Sequence, residues 1–212
     1  MGAGSPKQFL RLGQKTLLEH SIAALMTDRR VARVLVVLAP DDGHEPAQEL
    51  PGVSFARVGG SSRAHSVLNG LRVLAREALP GDRVLVHDAA RPCLAARDLT
   101  ALIDQAGLLE SGGLLAAAVS DTLKRVEQGV VVETAPRAGL WRAQTPQLFP
   151  LGMLLRALEQ AGDLLEVTDE SGAVERLGFH PRIVEGPAAN LKVTTPADLP
   201  LAEAVLRAQG RW

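Results

Sequence analysis

The apolar residues of this chain fall into two alternating patterns. Short continuous apolar runs predict strands buried on both faces of a sheet, at 31–40, 53–58, 84–86, 113–119 and 182–185. Between them, apolar residues recur every three or four positions and predict amphipathic helices, at 16–28, 67–74, 98–109, 151–160, 169–177 and 197–208. Because strands and helices alternate along most of the chain, we expect an α/β fold with a doubly wound, mostly parallel Rossmann-like sheet.

The alternation breaks between Ser120 and Leu148. Charged residues at Asp121, Lys124 and Arg125 are followed by a short apolar run at 130–132, a pattern that predicts a protruding β-arm rather than another strand and helix. This segment has too few apolar residues to form a core of its own. We therefore expect a single domain over residues 1–212, with a dimerisation β-arm at about 120–148.

Composition and charge narrow the possible partners. The chain has 212 residues, is 46% hydrophobic and carries a formal net charge of -1, so it lacks the basic field of a nucleic-acid-binding protein. No apolar run has the length of a membrane span, and the amino end shows no signal-peptide pattern. The single cysteine, Cys93, excludes an internal disulfide and is expected to be inert packing. These features predict a cytoplasmic protein with a small-molecule ligand, no nucleic acid and no membrane.

Polar residues follow the predicted strand at 84–86. His87, Asp88 and Arg91 lie where ligands bind in open α/β sheets, beyond the carboxyl ends of the strands. The alternatives are that Asp88 is a turn former or helix cap, or that it forms a local ion pair with Arg91. We interpret His87 as structural rather than catalytic.

Other cations and hydrogen-bond donors lie at the ends of predicted elements. The Gly59–Ser62 turn opens a helix and could present backbone N–H groups to an anion, although most such turns only begin a helix. Lys124, Lys192 and Arg137 could equally be solvated surface residues. Each of these signals is weak when taken alone.

Taken together, five strings in order resemble one family. They are Ser5-Pro6-Lys7-Gln8, His87-Asp88-Ala89-Ala90-Arg91-Pro92, Asp121-Thr122-Leu123-Lys124, Gln144-Thr145-Pro146-Gln147 and Asn190-Leu191-Lys192-Val193-Thr194. The chain resembles the 2-C-methyl-D-erythritol 4-phosphate cytidylyltransferases of the non-mevalonate isoprenoid pathway. Ribitol-phosphate cytidylyltransferases are similar in the second string.

The resemblance implies an enzyme that uses CTP, a polyol phosphate and Mg²⁺. The acceptor phosphate attacks the α-phosphorus of CTP and releases pyrophosphate, so the catalytic work is electrostatic. An acceptor phosphate whose second pKa is about 6 is already mostly a dianion at neutral pH, and no general base is required.

The resemblance also implies roles for individual residues. Lys7 would grip the triphosphate, and Lys192 would stabilise the reacting α-phosphate. Gly60, Ser61 and Ser66 would contact the cytosine and ribose. Asp88, Arg91 and Thr145 would contact the acceptor, and Asp88 would also contact Mg²⁺ or its water. Thr122 and Arg137 would contact the acceptor phosphate of a partner subunit. The expected assembly is a homodimer with shared active sites.

Two alternatives stay open at this point: a cytidylyltransferase for ribitol phosphate or another polyol phosphate, and a catalytically inactive nucleotide-binding paralogue. The family begins with a central strand and a Gly-rich Ala-Ala-Gly-x-Gly-x-Arg loop, and both are missing ahead of Ser5. We expect a misplaced start site or a truncated sequence, with a shortened paralogue as the alternative. A gap at the sheet centre should leave unpaired backbone groups on both neighbouring strands.

Overall fold

The computed structural model describes residues 6–43 and 50–212 of the chain. Its strands are β1 (Arg11–Leu12), β2 (Lys15–Thr16), β3 (Val34–Val37), β4 (Val53–Ala56), β5 (Arg83–Val86), β6 (Gly113–Ala118), β7 (Leu123–Glu127), β8 (Val130–Ala135), β9 (Trp141–Pro150) and β10 (Arg182–Glu185). Its helices are α1 (Leu17–Leu25), α2 (Arg63–Leu74), α3 (Ala96–Ala106), α4 (Leu151–Gln160), α5 (Glu170–Arg176) and α6 (Asp198–Ala208), with a 3-10 turn at Lys7–Phe9. Within these described residues, no helix has the length and apolar character needed to cross a membrane.

The main sheet has the strand order β10-β6-β9-β5. β10 and β6 are parallel, whereas β9 lies antiparallel between β6 and β5. The α/β class is confirmed. The antiparallel β9 makes this sheet mixed, because the chain passes from β6 to β9 through the strands β7 and β8 and not through a crossover helix of the kind that joins parallel strands.

Helices cover both faces of this sheet, as a doubly wound arrangement requires. Val84, Val86 and Phe149 pack on one face against α2, α4 and α5. Leu85 and Leu148 pack on the other face against α1 and α3. The switch of face between neighbouring residues follows from the two-residue repeat of a strand.

A gap separates the main sheet from a second parallel pair, β3 and β4. Within the described residues, β3 pairs only with β4, and β5 pairs only with β9. A cavity of about 1270 Å³ lies between β3 and β5, lined largely by their apolar side chains and those of the flanking helices.

The β-arm is shorter than predicted. β7 and β8 form an antiparallel hairpin that pairs with no other strand of the described chain. The predicted arm at 120–148 also included most of β9, which instead belongs to the main sheet. The predicted boundary was wrong because Gln144 and Gln147 are polar and did not indicate a buried strand. Residues 144–149 are nevertheless buried between β5 and β6.

Candidate active site

The segment that follows β5 places the carboxylate of Asp88 among cations. Its side chain is 11% exposed, and Oδ1 accepts a hydrogen bond from Nε of Arg63 at 2.8 Å. Nζ of Lys192 lies 2.8 Å from Oδ2, and Nε of Arg91 lies 3.7 Å from the same oxygen. The fold therefore joins Asp88, Arg91 and Lys192, which the sequence predicted as site residues, and adds Arg63.

These cations determine the protonation state of Asp88. Burial alone would raise the pKa of Asp88, but the charges of Arg63 and Lys192 outweigh it and hold the pKa well below its usual range. Burial lowers the pKa of Arg91, yet a guanidinium keeps its proton at neutral pH. Asp88 is thus an anion whose surroundings are predominantly positive, and these surroundings favour the approach of a phosphate.

The hydroxyl of Thr145 holds the backbone of the Asp88 segment in place. It accepts a hydrogen bond from the backbone N–H of Asp88 at 3.0 Å and lies 3.0 Å from Nδ1 of His87. Nε2 of His87 lies 3.1 Å from the carbonyl of Arg91, which can only accept, so this nitrogen carries the proton and Thr145 donates to Nδ1. Burial lowers the pKa of His87 to about 4, so the ring is neutral at neutral pH. His87 acts here as a structural link.

Arg91 is held by the segment that carries Lys192. Its Nη1 donates to the backbone carbonyl of Asn190 at 2.7 Å. The buried amide of Asn190 in turn donates to the carbonyl of Thr145 at 2.9 Å and to Oε1 of Gln144 at 3.2 Å. Nε of Arg91 is buried and makes no hydrogen bond in the described chain, and it faces Oδ2 of Asp88 at 3.7 Å.

A pocket of about 210 Å³ opens between these groups. Four of the predicted site residues line it, namely Asp88, Arg91, Thr145 and Lys192. The pocket lies beside the carboxyl end of β5, the edge at which ligands of open α/β sheets bind. It is separate in character from the larger cavity, whose walls are mainly apolar.

The residues predicted to contact the nucleotide lie at the start of α2. The backbone N–H of Gly60 donates to Oγ of Ser66 at 3.0 Å, and that hydroxyl donates to the carbonyl of Ser62 at 2.9 Å. Ser62 also caps α2 by accepting from the N–H of His65 at 3.2 Å. The turn is therefore held in a fixed shape, with Ser61 exposed on its outer side.

Lys7 lies next to the Lys192 segment. Its Nζ donates to the backbone carbonyl of Val193 at 3.4 Å. Lys7 thus contacts the residue next to Lys192, although these two predicted phosphate-binding lysines are 185 positions apart in the sequence.

Thr122 and Arg137 do not join the pocket of their own chain. Both are exposed beside the hairpin of β7 and β8, and Nη1 of Arg137 donates to the backbone carbonyl of Ser120. Neither residue lines the pocket that contains Asp88.

Sequence reasoning missed two charged residues of the site. Arg63 contacts Asp88, and it also forms an ion pair with Glu170 at 2.6 Å. Glu170 is 1% exposed. The available signals were weak: Arg63 directly follows the Gly-rich turn, and Glu170 directly follows Asp169, the N-cap of α5.

The donor set does not fit Asp88 as a direct ligand of Mg²⁺. Its oxygens face Arg63 and Lys192 at 2.8 Å, and Arg91 lies 3.7 Å from Oδ2, so a divalent cation bound to this carboxylate would be repelled by these positive charges. Within residues 6–43 and 50–212, no group of three or more His, Cys, Asp or Glu residues could hold a metal ion.

Comparisons with known proteins identify the family of the chain. The family model of 2-C-methyl-D-erythritol 4-phosphate cytidylyltransferase matches residues 1–208. Relatives with that name from Dechloromonas aromatica (strain RCB) and Laribacter hongkongensis (strain HLHK9) are 49% identical over 213 residues and 52% identical over 210 residues. The first alignment covers 98% of this chain and 92% of the relative, and the second covers 97% and 90%.

Solved structures give the same result. A crystal structure of 4-diphosphocytidyl-2C-methyl-D-erythritol synthase matches with a TM-score of 0.87 and 43% identity, over 95% of both chains. The Francisella tularensis 2-C-methyl-D-erythritol 4-phosphate cytidylyltransferase matches with a TM-score of 0.84 and 33% identity, over 95% of this chain and 94% of that one. The chain therefore belongs to the 2-C-methyl-D-erythritol 4-phosphate cytidylyltransferase family.

Proposed function

We propose that this chain transfers the cytidylyl group of CTP to 2-C-methyl-D-erythritol 4-phosphate, giving the CDP-methylerythritol product and pyrophosphate for isoprenoid precursor biosynthesis. The observation that carries the proposal is the position of Asp88 among Arg63, Arg91 and Lys192 at the carboxyl end of β5. Two anionic substrates repel each other as they react, and fixed cations at the reacting centre offset that repulsion.

The reaction needs no proton transfer by the protein. An oxygen of the acceptor phosphate forms a bond to the α-phosphorus, and the bond from that phosphorus to the pyrophosphate oxygen breaks. The acceptor phosphate, with a second pKa of about 6, is mostly a dianion at neutral pH. The neutral His87, which is fully engaged by Thr145 and the Arg91 carbonyl, is consistent with this absence of a general base.

In this proposal each side of the site binds one substrate. Gly60, Ser61 and Ser66 contact the cytosine and ribose, while Lys7 and Lys192 bind the phosphates of CTP. Asp88 and Arg91 receive the hydroxyls of the acceptor, within the segment held by Thr145. Mg²⁺ enters only as an ion carried by the triphosphate, since Asp88 does not fit as its ligand.

We also propose a homodimer in which Thr122 and Arg137 serve the acceptor phosphate of the partner subunit. The hairpin carries exposed Val126 and a run of exposed valines at 130–132, and it pairs with no other strand of the described chain. Such apolar residues are expected to pack on a second copy.

Mixed dimers test the shared site. An Arg137→Ala subunit and an Asp88→Ala subunit should each be inactive as homodimers, but one site of the hybrid receives neither substitution and should recover activity. Mixed dimers that form and stay as inactive as their parents would contradict the arm's role in the partner.

The cytoplasm is the proposed location. Phosphorylated substrates are retained there, and the buried free thiol of Cys93 is compatible with a reducing compartment.

The direct test is pyrophosphate release from CTP by the purified chain, with methylerythritol phosphate, with ribitol phosphate and with no acceptor. Release that depends on methylerythritol phosphate supports the proposal. Preference for ribitol phosphate would change the acceptor, and no release from folded protein would indicate an inactive nucleotide-binding module.

Lys192→Ala and Lys124→Ala form a matched pair for this assay. Lys192 contacts Asp88 in the pocket, whereas Lys124 donates to Thr134 within the hairpin. Loss of one such electrostatic contact typically lowers the rate by about 10²- to 10³-fold, so Lys192→Ala should be severely impaired and Lys124→Ala much less so. Comparable activity of Lys192→Ala and the wild type would refute the role of this lysine.

A further inference from the structure

Arg63 forms a bridge between two carboxylates. Its Nη1 and Nη2 donate to Oε1 and Oε2 of Glu170 at 2.6 and 3.0 Å, a two-pronged pair. Its Nε donates to Oδ1 of Asp88 at 2.8 Å. One guanidinium therefore joins a buried carboxylate that lines no substrate pocket to a carboxylate that faces the substrate.

Glu170 is itself firmly held. It is the first residue of α5 and is 1% exposed, so its charge needs a close partner. The residues on either side tie α5 to β9: the N–H of Ser171 donates to Oε1 of Gln147 at 2.8 Å, and Nε2 of Gln147 donates to Asp169 at 2.9 Å. Glu170 thus provides a fixed point for the guanidinium.

The two cations that lie 2.8 Å from Asp88 differ in their freedom to move. Lys192 is 40% exposed and ends in a rotatable ammonium, so it can shift from Oδ2 to a phosphate when substrate enters. Arg63 has two of its nitrogens bound to Glu170 and cannot move to a phosphate without breaking that ion pair. Oδ1 therefore has a fixed partner and Oδ2 an exchangeable one.

We propose that Glu170 is a positioning residue of this enzyme, which holds Arg63 so that it fixes one oxygen of Asp88 and leaves the other free to receive the acceptor. The inference rests on the proposed function. Without Glu170, Arg63 is free to close on both oxygens of Asp88 or on a bound phosphate. Either movement removes Asp88 from the orientation that the acceptor requires.

The charges of the cluster point to the same role. Arg63, Arg91 and Lys192 bring three positive charges, and Asp88 and Glu170 bring two negative ones, which leaves one positive charge. Burial raises the pKa of Glu170, and the Arg63 charge opposes this increase. The buried carboxylate balances the guanidinium from the side away from the substrate, so Arg63 is retained in the wall of the pocket.

The test combines enzyme kinetics with an NMR measurement of the mobility of the Arg63 side chain. Glu170→Gln preserves the shape and removes the charge, and Glu166→Gln is the control, because Glu166 is an exposed carboxylate 3.8 Å from Arg176. Displacement of a reacting group by about 1 Å can cost up to about 100-fold, so kcat of Glu170→Gln should fall by about 10- to 100-fold, and Glu166→Gln should match the wild type.

A double-mutant comparison separates positioning from general structural support. If Glu170 acts through Arg63, the Arg63→Gln and Glu170→Gln double variant should be no slower than Arg63→Gln alone. Losses that multiply in the double variant would overturn the proposal. Arg63→Lys should be as slow as Glu170→Gln, because an ammonium cannot span both carboxylates.

Nitrogen-15 NMR of the arginine side chains shows whether Glu170 restrains Arg63, and it does not depend on enzymatic activity. In the wild type, slow rotation about the Nε–Cζ bond of Arg63 should give separate Nη signals, and these should merge in Glu170→Gln. Separate signals in Glu170→Gln would overturn the proposal. If Glu170→Gln does not fold, as judged by circular dichroism, Glu170→Asp retains the charge on a shorter side chain and should give the same merging. If the wild type shows separate signals but releases no pyrophosphate, the proposed function is refuted, whereas the restraint of Arg63 by Glu170 is still supported.

Discussion

Acidification should destabilise the folded chain through His87. The folded state keeps this imidazole neutral, because Thr145 donates to Nδ1 and the proton on Nε2 is given to the Arg91 carbonyl. The unfolded chain has no such constraint and takes up a proton at the ordinary histidine pKa. As the pH falls, His87 is therefore protonated in the unfolded state before it is protonated in the folded state. The contribution of His87 to stability is present above pH 6.5 and is lost as the pH falls toward 4.

The size of the effect follows from the two pKa values. The pKa of His87 falls from 6.5 to about 4, and one pKa unit corresponds to about 1.4 kcal/mol, which gives an upper value of about 3 kcal/mol. The ring borders the large cavity and is only partly buried, so solvent screening reduces the expected loss to roughly 2 kcal/mol.

Urea unfolding at pH values between 8 and 4 measures this loss. His87→Gln should lower the free energy of unfolding at pH 8 and should then lose about 2 kcal/mol less than the wild type on acidification. The same substitution at the exposed His180, His180→Gln, provides the matched control variant. If His87→Gln and the wild type lose the same free energy between pH 7 and pH 4.5, the buried neutral imidazole has been wrongly assigned.

Three further predictions concern the nucleotide turn, the thiol and the core. A Cβ on Gly60 would lie 2.4 Å from Cβ of His65, so Gly60→Ala should raise the KM for CTP by about 10-fold, whereas Gly81→Ala, which meets nothing within 4 Å, should not. Cys93 is 1% exposed and burial raises its pKa to about 11, so a thiol reagent at pH 8 should modify it only after urea is added. Phe149 is fully buried, and Phe149→Ala should lower the free energy of unfolding by about 3 to 5 kcal/mol in the same urea assay.

The regular elements were largely predictable from the sequence. The strand at 182–185 and the helix at 151–160 have the predicted bounds, and the other helices differ by a few residues at their ends. Apolar spacing carries this information locally, since one face of each helix and both faces of each central strand must be covered.

The place of β9 could not be read in the same way. Gln144, Thr145 and Gln147 are polar, so the segment did not resemble a buried strand, yet all three are buried because their hydrogen-bond partners come from distant segments. A polar residue at a core position is compatible with burial only when such partners are present. The sequence does not show those partners, and the arm was extended too far as a result.

The same limit applies to the charged residues of the site. His87, Asp88 and Arg91 were found because they are adjacent to one strand end. The pair of Arg63 and Glu170 is separated by 107 residues, and neither residue lies in a pattern that predicts the other. Only the packing of α2 and α5 on the same face of the sheet brings them together.

The gap between β3 and β5 gives this pair a particular importance. The proposed acceptor pocket is built on the main sheet, from residues that follow β5 and from β9, whereas the proposed nucleotide turn follows β4 on the far side of the gap. Within the described residues, no strand pairing joins the two sheets, and both α1 and α2 pack against strands of each sheet. Arg63 is the first residue of α2, and its ion pairs with Asp88 and Glu170 connect the start of that helix to the main sheet. In the proposed site, the position of the turn relative to the pocket therefore depends on this polar contact as well as on apolar packing.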